Sequence, residues 1–277
     1  MSNLLFDTLY YSGLTQLSRK ILSSKRSLIL MFHGVYKIEH ESIPESYHFG
    51  MSESEFIKVL SWIKAESLSI ISLKEVLEGK KGIHLSFDDG YSNNFHNVLP
   101  ILEDFNFCAS IFISSQHLRT EKQEGELLDL FKNYVQQIDS NMPGLDDFIL
   151  DNWTGLNQKE LQALFDSSLI EIGSHTHSHP YLSQLDKKGQ EIEIEKGQTI
   201  LKEILGESPK YFSYPFGDYN SSSIEIVNSM GFDCALAVNS KKLNLNQPLL
   251  ELPRLGIYSS ENNYLSLKLS YLTKTIK

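Results

Sequence analysis

Several features that mark other classes of protein are scarce in this chain. Among 277 residues there are only two cysteines, Cys108 and Cys234, and each lies in an apolar run, so buried thiols in a reducing compartment are expected rather than a disulfide. Acidic residues outnumber basic ones and give a net charge of −10, which excludes a general attraction for nucleic acid. The longest apolar run, 28–32, is too short to span a bilayer, and Asp7 interrupts the pattern that a secretory signal needs.

The composition is that of an ordinary globular protein. With 41% hydrophobic and 22% charged residues, the chain can bury one barrel-sized core or two smaller ones. Residues 1–26 predict an amphipathic helix, with Leu14, Leu17 and Ile21 on one side and basic residues beside them. Packing of this helix on the rest of the protein is favoured over peripheral contact with a membrane, because its apolar stripe is short.

From residue 27 onward, predicted strands alternate with predicted helices. The strands are expected at 28–32, 70–71, 83–87, 108–113, 169–172, 211–214, 234–238 and 250–257, and the helices at 53–66, 73–77, 93–104, 157–166, 187–205 and 221–230, with a last one starting near Ser259 or Ser260. This alternation predicts an α/β barrel of about seven parallel strands in a domain covering 27–277. The segment 116–156 breaks the rhythm and is interpreted as a lid-like insertion after a strand.

Two motifs that follow strands carry the chemistry. Asp88 and Asp89 end the strand 83–87, and His175 and His179 come after the strand at 169–172. Two histidines and one of the two aspartates would give a hydrolytic zinc site its three protein ligands, leaving the other aspartate to accept a proton. Other chemically suggestive residues also follow or lie in strands, and in a parallel barrel all would meet at one rim: His33, Pro215, Phe216, Gly217 and Arg254.

These motifs resemble those of the polysaccharide deacetylase family, the NodB-homology group of carbohydrate esterases. Ser86-Phe87-Asp88-Asp89-Gly90 is similar to the first family motif, and His175-Thr176-His177-Ser178-His179-Pro180 to the second. The resemblance extends through Leu30 to Val35, Tyr91 to Asn94, Glu171 to Ser174, Tyr214 to Asn220 and Leu252 to Leu255. It implies the irregular NodB-type (β/α) barrel, in a circularly permuted branch whose first element carries His33.

The resemblance also implies roles for single residues. Asp89, His175 and His179 would bind a divalent metal, most simply zinc, although cobalt, nickel or iron also suits two histidines and a carboxylate. Asp88 would be the general base, and the backbone N–H of Phe216 would stabilise the oxyanion.

The chain departs from the family pattern at two points. Ser213 stands where the family has an arginine that holds the catalytic aspartate, and Arg254 is the candidate substitute, unless it forms only a structural ion pair. The family's C-terminal histidine is missing, since no histidine follows His179. His33 is therefore interpreted as the general acid, the alternative being a hydrogen-bonded core histidine.

The remaining candidates are weaker. His96 and His117 are assigned to the surface or to loops, and Trp153 and Tyr219 either stack on a sugar or serve in packing. The expected function is metal-dependent removal of N-acetyl groups from an amino sugar in a polysaccharide, oligosaccharide or lipid-linked glycan, in the cytoplasm or at the inner membrane face. The alternatives are a deformylase, an O-acetyl esterase, a catalytically silent glycan-binding domain and a scaffold for glycan assembly. The oligomeric state is left open.

Overall fold

The described part of the chain forms a closed barrel of seven parallel strands. The computed structural model describes residues 27–37, 50–119, 153–238 and 248–257. The strands in chain order are β1 (Leu28–Phe32), β2 (Val35–Tyr36), β3 (Met51–Ser52), β4 (Ile83–Phe87), β5 (Ala109–Ile113), β6 (Ile170–Ser174), β7 (Tyr211–Ser213), β8 (Cys234–Val238) and β9 (Leu252–Gly256). Strands β2 and β3, which were not predicted, pair only with each other, and the other seven close the barrel. The predicted α/β barrel is confirmed.

The barrel closes where its first strand meets its last. All five residues of β1 pair in parallel register with those of β4, and on its other edge Leu30 pairs with Leu255 of β9. Because every barrel strand runs in the same direction, the residues that follow the strands gather at one rim. The permuted order relative to other branches stays a prediction.

Helices cover the outside of the barrel close to the predicted positions. They are α1 (Glu53–Ala65), α2 (Leu73–Leu77), α3 (Leu99–Phe105), α4 (Gln158–Asp166), α5 (Lys187–Leu205) and α6 (Ser221–Ser229). Capping boxes begin α1, α2, α4 and α6 at Ser52, Ser72, Asn157 and Asn220. A left-handed Gly206 (φ 81°) ends α5. Local signals of this kind explain why the helix boundaries could be predicted.

One predicted helix and one predicted strand differ from the structure. The helix expected at 93–104 is a π-helical turn, Asn94–Val98, followed by α3. Its wide turn lets Asn94 Nδ2 donate to the His33 carbonyl (3.0 Å) and Asn97 Nδ2 to the Val35 carbonyl (2.7 Å), which ties this turn to the segment after β1. The strand expected at 70–71 is reduced to a single bridge between Ile70 and Ile83.

Successive side chains of a barrel strand point alternately to the helices outside and to the barrel interior. The outward side chains are apolar, whereas the interior contains both polar and apolar side chains. Leu85 and Phe87 of β4 pack with Phe56 of α1 in the main hydrophobic cluster between barrel and helices. The intervening His84 and Ser86 are fully buried and belong to the other face of the strand. At the N-terminal end of the barrel, Glu171 accepts hydrogen bonds from Leu73 N (2.8 Å) and Ser110 Oγ (3.1 Å), which joins α2, β5 and β6.

Several predictions fall outside the described residues. These are the helix at 1–26, most of the insertion at 116–156, and the helix after Ser259 or Ser260. Within the described segments, no helix has the length and apolar character to cross a bilayer. Both cysteines are free, with Cys234 buried and Cys108 only partly so.

Candidate metal centre and active site

Several residues at the rim have a left-handed backbone conformation, which is rare for residues other than glycine. Within the described segments six non-glycine residues have positive φ, and four of them lie in the sequence motifs: Asp89 (76°), Thr176 (67°), His179 (60°) and Phe216 (57°). Such conformations cost free energy, on the order of 1–3 kcal/mol each, and persist only where surrounding structure enforces them. Their clustering marks this rim as a functional site.

Asp89, His175 and His179 form a compact group of potential metal ligands. One ligand atom from each lies within 4.8 Å of the other two. His179 Nε2 is 3.3 Å and His175 Nε2 is 3.6 Å from the same Asp89 Oδ1. Because zinc bonds to such atoms are about 2.0 to 2.2 Å long, donors at these separations can share one ion.

The hydrogen bonding of this group fits a metal site. Asp89 Oδ1 is buried and has no hydrogen-bond partner among the described residues, which would be costly unless a cation meets it. The Nδ1 of His175 lies 2.7 Å from the Ser213 carbonyl, so Nδ1 carries the proton and donates it there. That bond leaves the Nε2 lone pair directed toward Asp89 and His179, as a ligating histidine requires.

The electrostatics favour the ligand form of His175 and Asp89, whereas His179 would have to release a proton to bind a metal. Burial lowers the pKa of His175 to about 4, outweighing the attraction of Asp88, so its imidazole is neutral near pH 7. Burial opposes ionisation of Asp89, but the adjacent His179 and then His33 hold the pKa of this carboxyl well below its usual range. Burial opposes protonation of His179. The hydrogen bond and the charge of the Asp89 carboxylate outweigh this effect and raise the pKa of His179. One carboxylate and one neutral imidazole are therefore in the ligand form, and metal binding at His179 would displace a proton.

Asp88 is held by Arg254 in a two-pronged ion pair. Arg254 Nη1 donates to Asp88 Oδ1 at 2.7 Å, and Nη2 donates to Oδ2 at 2.6 Å. Burial of Asp88 opposes its ionisation, but the charge of Arg254 outweighs burial and lowers the pKa of this carboxyl. Asp88 Oδ2 is also 3.9 Å from His175 Nε2, so this carboxylate is beside the ligand group without belonging to it.

Arg254 is itself fixed on several sides inside the barrel. Its side chain is fully buried. Nη2 donates to Ser213 Oγ at 2.7 Å, Nη1 donates to Ser86 Oγ at 3.3 Å, and the guanidinium lies 5.7 Å from the centre of the Phe112 ring. The structure therefore brings Arg254 to Asp88, the contact that the sequence suggested, and Ser213 supports it.

His33 lies at the same rim. Phe32 pairs with Phe87, so His33, the residue that follows β1, is beside Asp88, and the Asp88 amide donates to the Phe32 carbonyl at 3.1 Å. The His33 side chain is partly exposed, and its backbone is held by Asn94.

Phe216 forms the opposite border of the site. It sits in a tight turn, Pro215–Gly217, directly after β7. Its ring centre is 4.5 Å from that of His179, and the ring also stacks on Tyr181 at 4.0 Å with an interplanar angle of 9°. The turn thus lies against a metal-ligand candidate, and the role of the Phe216 N–H stays a prediction.

His117 and Trp153 are more deeply buried than the sequence predicts. His117, expected at the surface or in a loop, does lie in a short turn after β5 but is not at the surface: it is only 4% exposed, its ring centre is 6.0 Å from that of His179, and Nδ1 is 3.4 Å from the Asp89 carbonyl. It follows β5, so the strand-end rule applied to the other motifs could have found it. Trp153 is fully buried, so it serves in packing.

Comparisons with known proteins agree with this geometry. A family model described as polysaccharide deacetylase matches residues 76–235, more than half of the chain. The chain is 24% identical over 254 residues to the poly-β-1,6-N-acetyl-D-glucosamine N-deacetylase of Staphylococcus aureus strain MRSA252, covering 83% of this chain and 78% of that protein.

Two solved structures share the fold. The Streptococcus pyogenes deacetylase PplD, in complex with acetate, has a TM-score of 0.65 and 20% identity, covering 87% of this chain and 97% of that one. IcaB from Ammonifex degensii has a TM-score of 0.64 and 17% identity, covering 91% and 99%. The chain belongs to the polysaccharide deacetylase family and is a hydrolase of its deacetylase type, acting on a linear amide C–N bond.

Proposed function

We propose that this protein is a metal-dependent N-deacetylase acting on an acetylated amino sugar within a polysaccharide, oligosaccharide or lipid-linked glycan. The observation that carries the proposal is the pairing of two adjacent carboxylates with different surroundings. Asp89 faces two imidazoles, whereas Asp88 is held by Arg254. One carboxylate is thus suited to bind a cation and the other to accept a proton.

Asp89, His175 and His179 would hold the metal, with zinc as the simplest choice. A bound divalent ion of this kind supplies a Lewis acid and lowers the pKa of its water toward about 7. The protein's own contribution is to fix the ligands, and the Ser213 carbonyl does so for His175.

Asp88 would act as general base. Its lowered pKa keeps it ionised near neutral pH, and the fork of Arg254 fixes the plane of the carboxylate. Each oxygen uses one lone pair for Arg254 and keeps another that can accept a proton. A positioned base of this kind contributes about 10²- to 10⁴-fold to the rate.

His33 and Phe216 would complete the reaction from opposite sides. The leaving nitrogen of the sugar needs a proton, and His33 is partly exposed beside Asp88, where it can deliver one. The oxyanion needs a donor, and the backbone N–H of Phe216 would provide it from the turn after β7.

The biological setting is part of the proposal. The named activity of the Staphylococcus aureus relative, deacetylation of a β-1,6-linked N-acetylglucosamine polymer, supports a substrate of that chemical type and a role in making cell-surface polysaccharide. We place the reaction in the cytoplasm or at the inner membrane face, with residues 1–26 as a candidate contact. Cell fractionation that recovers the protein outside the cell would contradict this placement.

The decisive assay measures acetate release by the purified protein from a panel of N-acetylated oligosaccharides. Parallel reactions with chelator, and with zinc, cobalt, nickel or iron restored, test metal dependence and metal choice. Asp88→Asn is the matched inactive control, since it keeps the shape of the side chain and removes the base. Release of formate or hydrolysis of O-acetyl esters alone would favour those alternatives, and glycan binding without any turnover would contradict the proposal.

A further inference from the structure

Two exposed aromatic rings lie together at the edge of the active site. Six large apolar side chains are exposed among the described residues, and the only aromatic ones are Tyr181 (46%) and Phe216 (52%). These two rings stack face to face at 4.0 Å, and the Phe216 ring contacts that of His179 at 4.5 Å. We call this pair the aromatic platform.

The platform is held in place by the loops that carry it. Ser183, next to the Tyr181 loop, donates from both N and Oγ to the two carboxylate oxygens of Asp218, each at 2.7 Å, and so connects it to the Phe216 turn. Leu182 is fully buried beside Tyr181 and anchors that loop in the core. A surface built on fixed loops loses little entropy when a ligand binds.

Holding the platform outward is costly for the protein. Phe216 adopts φ 57°, a conformation that non-glycine residues rarely take, and its ring stays half exposed to water. Packing on Tyr181 recovers only part of the apolar surface of each ring. Exposed aromatic surface beside a reactive centre indicates a binding surface rather than a part of the fold.

We propose that the aromatic platform binds the sugar unit next to the one that is deacetylated. This inference rests on the proposed function. A pyranose ring presents a face of C–H groups with slight positive charge, which suits the negative face of an aromatic ring, while its hydroxyls stay in water. No charged side chain is needed for this contact, so it fits a neutral N-acetylated glycan.

The geometry assigns the platform to a neighbouring sugar rather than the reacting one. Tyr181 is separated from the metal-ligand candidate His179 by the Phe216 ring, through successive ring contacts of 4.5 and 4.0 Å. A sugar on Tyr181 is therefore displaced sideways from the acetyl group that reacts. The consequence is a dependence on chain length: an oligomer engages the platform, and a monosaccharide does not.

The test uses Tyr181, because Phe216 also belongs to the proposed catalytic turn. Tyr181→Ala removes the ring, Tyr181→Leu keeps apolar bulk without an aromatic face, and Tyr181→Phe keeps the face. Ile192→Ala is the matched control, since Ile192 is 50% exposed on α5. Each full-length, metal-loaded protein is assayed for acetate release from the monomer and the hexamer of N-acetylglucosamine. Hexamer binding is measured by calorimetry in an Asp88→Asn background, where turnover does not interfere.

Loss of the aromatic face should weaken hexamer binding and raise the KM for the hexamer by about fivefold to tenfold, with a smaller change in kcat. The Ala and Leu variants should both show it, whereas the Phe variant and Ile192→Ala should match the parent. The preference for hexamer over monomer should shrink accordingly. Unchanged hexamer binding in Tyr181→Ala and Tyr181→Leu would overturn the proposal that the aromatic platform binds a sugar. Absence of acetate release from every glycan by the parent would instead overturn the proposed function, and the calorimetric comparison would still decide the platform.

Discussion

Replacing Arg254 by methionine tests how the proposed base is controlled. The substitution keeps a long apolar side chain but removes the two hydrogen bonds of 2.7 and 2.6 Å to Asp88. It also removes the donor to Ser213 Oγ. Asp88 is only 4% exposed, so no water takes over the whole of the lost interaction.

The expected loss is large because one charge is left buried without its partner. Breaking a buried ion pair from one side costs about 3 to 5 kcal/mol of stability. If Asp88 then turns or takes up a proton, the contribution of the base is lost as well, about 10²- to 10⁴-fold in rate. The stability and the deacetylation rate of Arg254→Lys should lie between those of the parent and Arg254→Met, since an ammonium keeps the charge but cannot form two parallel hydrogen bonds.

The pH dependence gives a readout that separates electrostatic control from simple loss of fold. In the parent the pKa of Asp88 is lowered, so the ion pair stabilises the protein above the unfolded pKa of this carboxyl, and the stabilisation is lost as pH falls through the folded pKa. Without Arg254, burial dominates and raises the pKa of Asp88. The acidic limb of the kcat/KM profile should therefore move to higher pH, and the stability difference between the two proteins should narrow in acid.

Deacetylation rates across a pH series and denaturant unfolding of each variant supply both measurements. Lys187→Ala is a suitable control, because Lys187 pairs with Glu225 on the exposed surface. Its replacement should change neither the pH profile nor the free energy of unfolding by much. An unchanged acidic limb in Arg254→Met, with reduced stability alone, would show that Arg254 is only a structural partner and would refute the reasoning.

Three further predictions concern the metal site and its surroundings. Zinc should raise the unfolding temperature of the parent, by an amount equivalent to about 4 kcal/mol at a thousandfold excess over its Kd, and His175→Ala should abolish this shift. His33→Gln should bind zinc as the parent does yet lose about 10²- to 10⁴-fold in acetate release, and an unchanged rate would exclude it as the acid. His117→Ala should weaken zinc affinity by about 10- to 100-fold in a chelator competition, because it packs beside His179 and Asp89, and unchanged affinity would limit His117 to packing.

The parts of the fold that the sequence predicted depend on short-range signals. Capping residues such as Ser52 and Asn157 act within one helical turn, so the starts of α1 and α4 can be recognised without a structure. Strand β4 alternates between the barrel interior and the helix layer, and this period is visible in the letters from Ile83 to Phe87. The same logic placed both aspartates and the histidine motif at strand ends.

The parts that could not be predicted depend on contacts between distant segments. The π-helical turn at Asn94–Val98 is joined through two asparagine side chains to carbonyls about sixty residues earlier in the chain, and no local pattern encodes that. The burial of His117 depends on its packing against the second motif. The stacking of Tyr181 on Phe216 joins two loops whose separation in sequence hides their proximity.

The exchange between Ser213 and Arg254 shows why a departure from a motif is weak evidence for lost catalysis. The site requires a cation beside the buried carboxylate of Asp88. Arg254 provides this cation from β9 instead of from β7, the strand that carries Ser213. A small residue on β7 supports this arrangement, since Ser213 Oγ accepts from Arg254 while its carbonyl accepts from His175. One residue thus orients both the partner of the proposed base and a proposed metal ligand. The position that looks defective in the sequence connects the two halves of the site in the structure.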